Sequence, residues 1–153
     1  MLRLVVCLLV FGFAHAHVCL INPHQRGTMK DINSPGTSDC ALMHGPCGHR
    51  PPEHPAVTYK AGATYRFTFQ KNLDHFDKDH PGYFNVNITD TRGDHPITLK
   101  RITDTSAPSL TLYTVEVKLP NKPSPHAVLQ VEYYTDNPHA PPTFFQCADI
   151  TLG

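Results

Sequence analysis

The chain has 153 residues, with thirteen Lys and Arg balanced by thirteen Asp and Glu, so it carries no formal net charge. With 40% hydrophobic and 17% charged side chains it suits one globular domain, and it is too apolar and too weakly charged for a disordered chain. Neutrality gives no reason to expect nucleic acid or an anionic membrane surface as a partner. The composition stands out instead in eleven His and fifteen Pro beside no Trp.

Residues 1–16 read as a secretory signal peptide: Arg3, an apolar run from Leu4 to Phe13, and a small-residue ending Ala14-His15-Ala16. The run is too short to span a bilayer, and no later apolar run is long enough, so a secreted, extracellular protein without a membrane span is expected. Cleavage after Ala16 leaves a single domain, 17–153, that begins at His17. It also removes Cys7, leaving Cys19, Cys40, Cys47 and Cys147 for two disulfides in an oxidising compartment, with three pairings open. The pairing Cys40 to Cys147 with Cys19 to Cys47 would tie the loop to both terminal segments.

From Asn22 to Pro55 the chain is rich in Pro, Gly, Ser, Asp and His, with neither a helical nor a strand period. A loop of that length needs cross-links or a function to be ordered. Cys40 and Cys47 lie within it, and it reads as a disulfide-pinned loop with one or two short helical turns. Beyond it, alternation marks strands. Tyr65, Phe67 and Phe69 share one face opposite Thr64, Arg66 and Thr68, and Phe84, Val86 and Ile88 repeat the pattern. Ile97 to Ile102, Leu110 to Leu119, Ala127 to Tyr134 and Phe144 to Leu152 follow, parted by polar or Pro-rich turns such as Arg92-Gly93-Asp94. About seven strands and no ten-residue helical stripe give an all-β fold, a small immunoglobulin-like or fibronectin-like antiparallel β-sandwich. Asn87-Ile88-Thr89 is an N-glycosylation sequon whose Asn87, opposite the apolar face, is expected to reach solvent.

A histidine at the first position of a mature chain offers two nitrogens, its α-amine and Nδ1, to one metal ion. A second histidine from the fold would complete a three-nitrogen set suited to Cu(II), with open positions left for a small ligand. The amine has a reference pKa of about 7.7, so occupancy should fall on acidification as protons compete.

The run His17-Val18-Cys19-Leu20-Ile21-Asn22-Pro23-His24-Gln25-Arg26 resembles the H-x-x-L-x-x-P-x-x-R opening of the histidine-brace copper proteins, the lytic polysaccharide monooxygenases and their non-catalytic copper-binding relatives. Phe144-Phe145-Gln146-Cys147-Ala148-Asp149-Ile150 is similar to their last core strand, and Pro46-Cys47-Gly48 to a motif of their long loop. The resemblance implies one copper ion held by His17 and a second histidine, His75 or His80. His75 is favoured because Phe76 to Pro81 then reads as a small insertion after the ligand. It implies an aromatic residue on the axial side, for which Phe145 is chosen over Phe144, and a hydrogen-bonding role for Gln146 toward a copper-bound oxygen species. Arg26 and Asp149 are expected to be structural, and His24 to face the substrate side.

The implied activity is oxidative cleavage of a polysaccharide, chitin-like or cellulose-like, by a monomer drawing on an external electron donor. His24, His44, His49, Tyr59 and Tyr134 would provide a polar surface. The alternative is extracellular copper capture or delivery without turnover. A third class is a β-sandwich of structural or adhesive role whose histidines bind nothing.

Overall fold

The computed structural model describes residues 17–153, so the expected signal peptide lies outside the described residues. Eight strands run in chain order: β1 (His17–Asn22), β2 (Thr58–Tyr59), β3 (Thr64–Leu73), β4 (Tyr83–Thr89), β5 (Ile97–Thr103), β6 (Thr111–Lys118), β7 (Ser124–Tyr134) and β8 (Thr143–Leu152). They form two sheets, ordered β1-β3-β6 and β2-β8-β7-β4-β5. Every pairing is antiparallel except the two-residue contact of β2 with β8, which is parallel. The fold is the expected all-β sandwich, and no helix of the described residues is long and apolar enough to cross a membrane.

The alternation of the strands decides what the sheets enclose. Val18 and Leu20 of β1, Phe67 and Phe69 of β3 and Val117 of β6 face Phe84, Val86 and Ile88 of β4. Leu129, Val131 and Tyr133 of β7 and Phe144, Ala148 and Ile150 of β8 complete that core. Each large apolar side chain removed from water contributes about 1.5–3 kcal/mol before the entropy of ordering it is charged. Close packing reaches the backbone at Gly82, where a Cβ would sit 1.9 Å from the Tyr134 carbonyl oxygen. Glycine lets the start of β4 lie against the end of β7.

The loop before β2 lies over the outer face of β8 and β7 as a third layer. Its one 3-10 turn, Ser38–Cys40, is joined to β1 by the Cys19–Cys40 disulfide, and further on Cys47 is bonded to Cys147 of β8. This corrects the expected pairing. Each terminal strand is tied to the loop, but with the partners exchanged, because the turn packs on β1 while the Pro46-Cys47 segment crosses β8. Arg26 donates to both carboxylate oxygens of Asp149, at 2.6 and 2.7 Å, and the Glu53 N–H donates to the same carboxylate at 3.0 Å. The Arg26 N–H also donates to the Cys147 carbonyl at 2.7 Å.

That layer overturns the expectation for Asn87. The residue points away from the core between the sheets, as alternation requires, but is only 1% exposed. Its amide donates to Gln130 Oε1 at 2.8 Å, and Gln130 in turn donates to the Pro46 carbonyl of the loop at 2.7 Å. The folded protein offers no solvent-facing amide for a glycan at this sequon.

Candidate metal centre

His17 opens β1 and is paired in register with Leu73, the last residue of β3. His75 follows two residues later, so the antiparallel pairing brings both histidines to one end of the sandwich. Both are buried, at 3% and 7% exposure. His80 is exposed and lies in the turn that ends in Pro81-Gly82, where its N–H donates to Asp77 at 3.3 Å. Among the described residues no group of three or more His, Cys, Asp or Glu is gathered to hold a metal. A pair of imidazoles completed by a freed α-amine needs only two such side chains. In the 153-residue chain the His17 nitrogen is a peptide amide, so that third donor depends on cleavage.

The aromatic ring beside His17 belongs to Phe144, with centroids 6.0 Å apart and planes 16° from parallel. This corrects the choice of Phe145. In the β7–β8 register Phe144 lies opposite Tyr133, and Tyr133 opposite Phe84, so all three face into the sandwich. Phe145 is paired with Glu132 and points outward, its ring 3.2 Å from where a Cβ on Gly45 would stand. Alternation alone shows that the two neighbours face opposite ways. Only the register says which faces His17.

Gln146 shares the inward face with Phe144 and is fully buried. Its amide nitrogen donates to the Asp39 carbonyl at 2.8 Å, while Oε1 has no hydrogen-bond partner among the described residues. A buried acceptor left open costs roughly 1–3 kcal/mol, so it marks a place where a donor would be stabilised. Asp149 is committed to Arg26 and Glu53 and is structural. Tyr59 is only 8% exposed and packs on Tyr65 and Phe67, so it drops out of the expected polar surface. His24, His44 and His49 are exposed, and the last two stack with centroids 4.5 Å apart. Tyr134 is half-buried against Tyr83 at 4.7 Å.

Sequence reading missed what lies beneath His75. Lys71, on β3, is fully buried and donates to Asp104 Oδ1 at 2.7 Å and to the Thr105 and Ala107 carbonyls at 2.8 and 3.1 Å. It also pairs with the Asp74 carboxylate. Tyr133 donates its hydroxyl proton to Asp104 Oδ2 at 2.6 Å. Burial, then that bond and the charge of Asp104, push the Tyr133 phenol far above the ordinary tyrosine range. The one available signal was a lysine at an inward position of β3, in step with Phe67 and Phe69.

A β-sandwich whose first strand starts with a buried histidine, with a second histidine just past the end of the paired strand, is the class that fold and site define. The family model for lytic polysaccharide mono-oxygenase, described as cellulose-degrading, matches residues 17–150, and the chain belongs to that family. Among solved structures it is similar to the AA15 lytic polysaccharide monooxygenase from Thermobia domestica in the Cu(I) state. The identity is 18% and the TM-score 0.60, over 89% of this chain and 98% of that one. It is also similar to the AA10 lytic polysaccharide monooxygenase from Streptomyces lividans, at 16% identity and TM-score 0.59, over 89% of this chain and 100% of that one. No curated protein matches in sequence. At such identities the structural likeness speaks for the fold.

Proposed function

We propose that this is a secreted protein of 17–153 whose His17 and His75 hold one copper ion and which acts oxidatively on a polysaccharide. The observation that carries the reading is the β1–β3 register, which opposes His17 to Leu73 and leaves His75 at the same end. In this reading cleavage before His17 frees the α-amine, and the two imidazoles supply the remaining nitrogens. Bound copper would supply one-electron redox chemistry, drawing on an external electron donor, for attack on a C–H bond beside a glycosidic link. Phe144 excludes water beside His17 and, lacking a hydroxyl, offers no oxygen ligand there. Gln146 Oε1 can accept a hydrogen bond, and its carboxamide is oriented by the bond to Asp39. Exposed His24, His44 and His49 offer hydrogen bonds to a chitin-like or cellulose-like glycan.

The test begins with protein that starts at His17. One equivalent of Cu(II) should give a type 2 EPR signal; its absence would defeat the brace. One residue added before His17 should weaken binding severely. His75→Ala should abolish it and His80→Ala should not. With ascorbate and insoluble chitin or cellulose, mass spectrometry should find oxidised oligosaccharides. Tight copper binding with no products across a broad glycan panel would turn the reading to copper capture or delivery.

A further inference from the structure

Away from His17 and His75, the long loop sets two further histidines side by side. His44 and His49 stack with centroids 4.5 Å apart and planes 5° from parallel, and both are exposed. The turn between them accounts for the meeting. The Gly48 N–H donates to the His44 carbonyl at 2.7 Å, the Arg50 N–H donates to the Cys47 carbonyl at 3.1 Å, and Cys47 is bonded to Cys147 of β8. Gly48 and His49 are consecutive left-handed residues, with φ of 63° and 59°, so the chain doubles back and carries His49 against His44. Left-handed backbone is uncommon for a residue with a Cβ, so the turn keeps His49 there at some conformational cost. His24, on the same loop, has Nδ1 2.7 Å from the Gln25 carbonyl, whereas no ring nitrogen of His44 or His49 is hydrogen-bonded among the described residues. We propose that His44 and His49 form a second cation site, separate from His17 and His75, that takes one divalent transition ion of the copper or zinc type.

Imidazole nitrogen is a good ligand for Ni(II), Cu(II) and Zn(II), and Cu(II) is bound tightest in that series. At metal–nitrogen bonds of about 2.0–2.1 Å, an ion shared by two imidazoles needs their nitrogens about 3 Å apart. The stacked rings start 4.5 Å apart, and because both side chains are exposed, rotation about χ1 and χ2 closes that gap without disturbing the core. Water fills the remaining positions, so the site does not need a third His, Cys, Asp or Glu, and among the described residues none is gathered there. The neighbouring cleft is lined by Arg26, Arg50 and Arg92, which would repel an ion if they stood alone. Each is matched: Arg26 by Asp149 at 2.6 Å, Arg50 by Asp39 at 3.5 Å, and Arg92 by Asp94 at 3.6 Å and Asp90 at 4.0 Å. The surroundings therefore hold no uncompensated positive charge against a cation. Unlike His17, the pair needs no freed α-amine, so the site is complete before any cleavage. An ion held there would occupy the nitrogens that His44 and His49 otherwise offer to a glycan.

The test uses a chain with one residue added before His17, so that no α-amine stands beside that imidazole. Zn(II), which is diamagnetic, is titrated at neutral pH and followed by the carbon-bound imidazole proton resonances in NMR. The His44 and His49 resonances should move together and saturate at one equivalent, while those of the exposed His126 and His139 stay in place. His44→Gln should abolish the shift at His49, and His126→Gln should leave it. His49→Asn suits the left-handed backbone and should abolish the shift at His44, which keeps the test alive if His44→Gln fails to fold. In the mature chain starting at His17, Cu(II) should fill two sites, and His44→Gln should reduce the count to one. Zn(II) that leaves the His44 and His49 resonances unmoved overturns the proposal, as does a His49 shift that survives His44→Gln. A mature chain whose only Cu(II) is lost in His44→Gln and kept in His75→Ala defeats the centre at His17 and His75 instead, and the His44–His49 site stands.

Discussion

Arg26–Asp149 and Lys71–Asp104 are both buried ion pairs, and they hold different things. The first lies on the outer face of the larger sheet and fastens the long loop to β8, far along the chain from Arg26. The second lies between the sheets, beneath the segment that carries His75. One is a bidentate fork in which a planar guanidinium matches a carboxylate. The other is a point charge shared among two carboxylates and two backbone carbonyls. The loop pair secures a layer, and the inner pair joins the end of β3 to the turn after β5. Burial makes both sensitive to loss of a single partner, whatever their net worth.

The largest effects should come from removing one carboxylate. Asp149→Ala strands the buried Arg26 cation, while Asp104→Ala leaves Lys71 only the Asp74 carboxylate and takes the acceptor from the Tyr133 hydroxyl; each should cost about 3–5 kcal/mol in denaturant unfolding. The comparison sharpens under limited proteolysis: Asp149→Ala should admit cleavage within 22–55, whereas Asp104→Ala should leave that loop protected. Equal protection in both would mean the loop is held by its disulfides alone.

The disulfides rank next. Cys47–Cys147 closes 100 residues and Cys19–Cys40 closes 21. Chain entropy puts their contributions at about 4.7 and about 3 kcal/mol. Replacing the Cys47–Cys147 pair by serine should therefore lower the melting temperature more, and the reverse order would point to native contacts rather than chain entropy.

A smaller effect is expected from Asp39, whose carboxyl is held below its ordinary value. The Thr28 hydroxyl lowers it most, burial opposes, and the Lys30 N–H with Arg50 adds to the lowering. A depressed carboxyl contributes stability above its unfolded pKa of about 3.8 and loses it as pH falls through the lower folded value. Thr28→Ala should reduce stability at pH 6 by under about 1 kcal/mol and flatten the acid limb of the curve below about pH 4. An unchanged acid limb would remove Asp39 from the loop's support. The smallest effect belongs to Tyr113→Phe: its buried hydroxyl has no hydrogen-bond partner among the described residues, so stability should stay within about 1 kcal/mol or rise.

The strands from Thr64 onward could be read from alternation because each sheet has one apolar face, and Phe67, Phe69, Phe84, Val86 and Ile88 all lie where their spacing puts them. The same rule failed at Asn87. Alternation distinguishes the core side from the other side, and here the other side is covered by a loop without any period of its own. It also left Phe144 and Phe145 equivalent, since their order depends on pairing with β7. Of the proposed site, the opening His17 and the preference for His75 came from a family resemblance. The buried Lys71–Asp104–Tyr133 network and the Asn137 bond to His75 were not legible, because they join residues far apart in the chain.

By itself the sequence determined the all-β class, the strand positions, the four cysteines that bond and the histidine that a cleavage after Ala16 would place first. These are local properties, set by alternation, residue type and distance along the chain. Tertiary structure alone decided which cysteines pair, which phenylalanine meets His17, that Asn87 is covered, and that Lys71, Asp104 and Tyr133 form one network. Each of those depends on the register between strands or on the path of the long loop, and both are set by contacts between residues far apart in the chain.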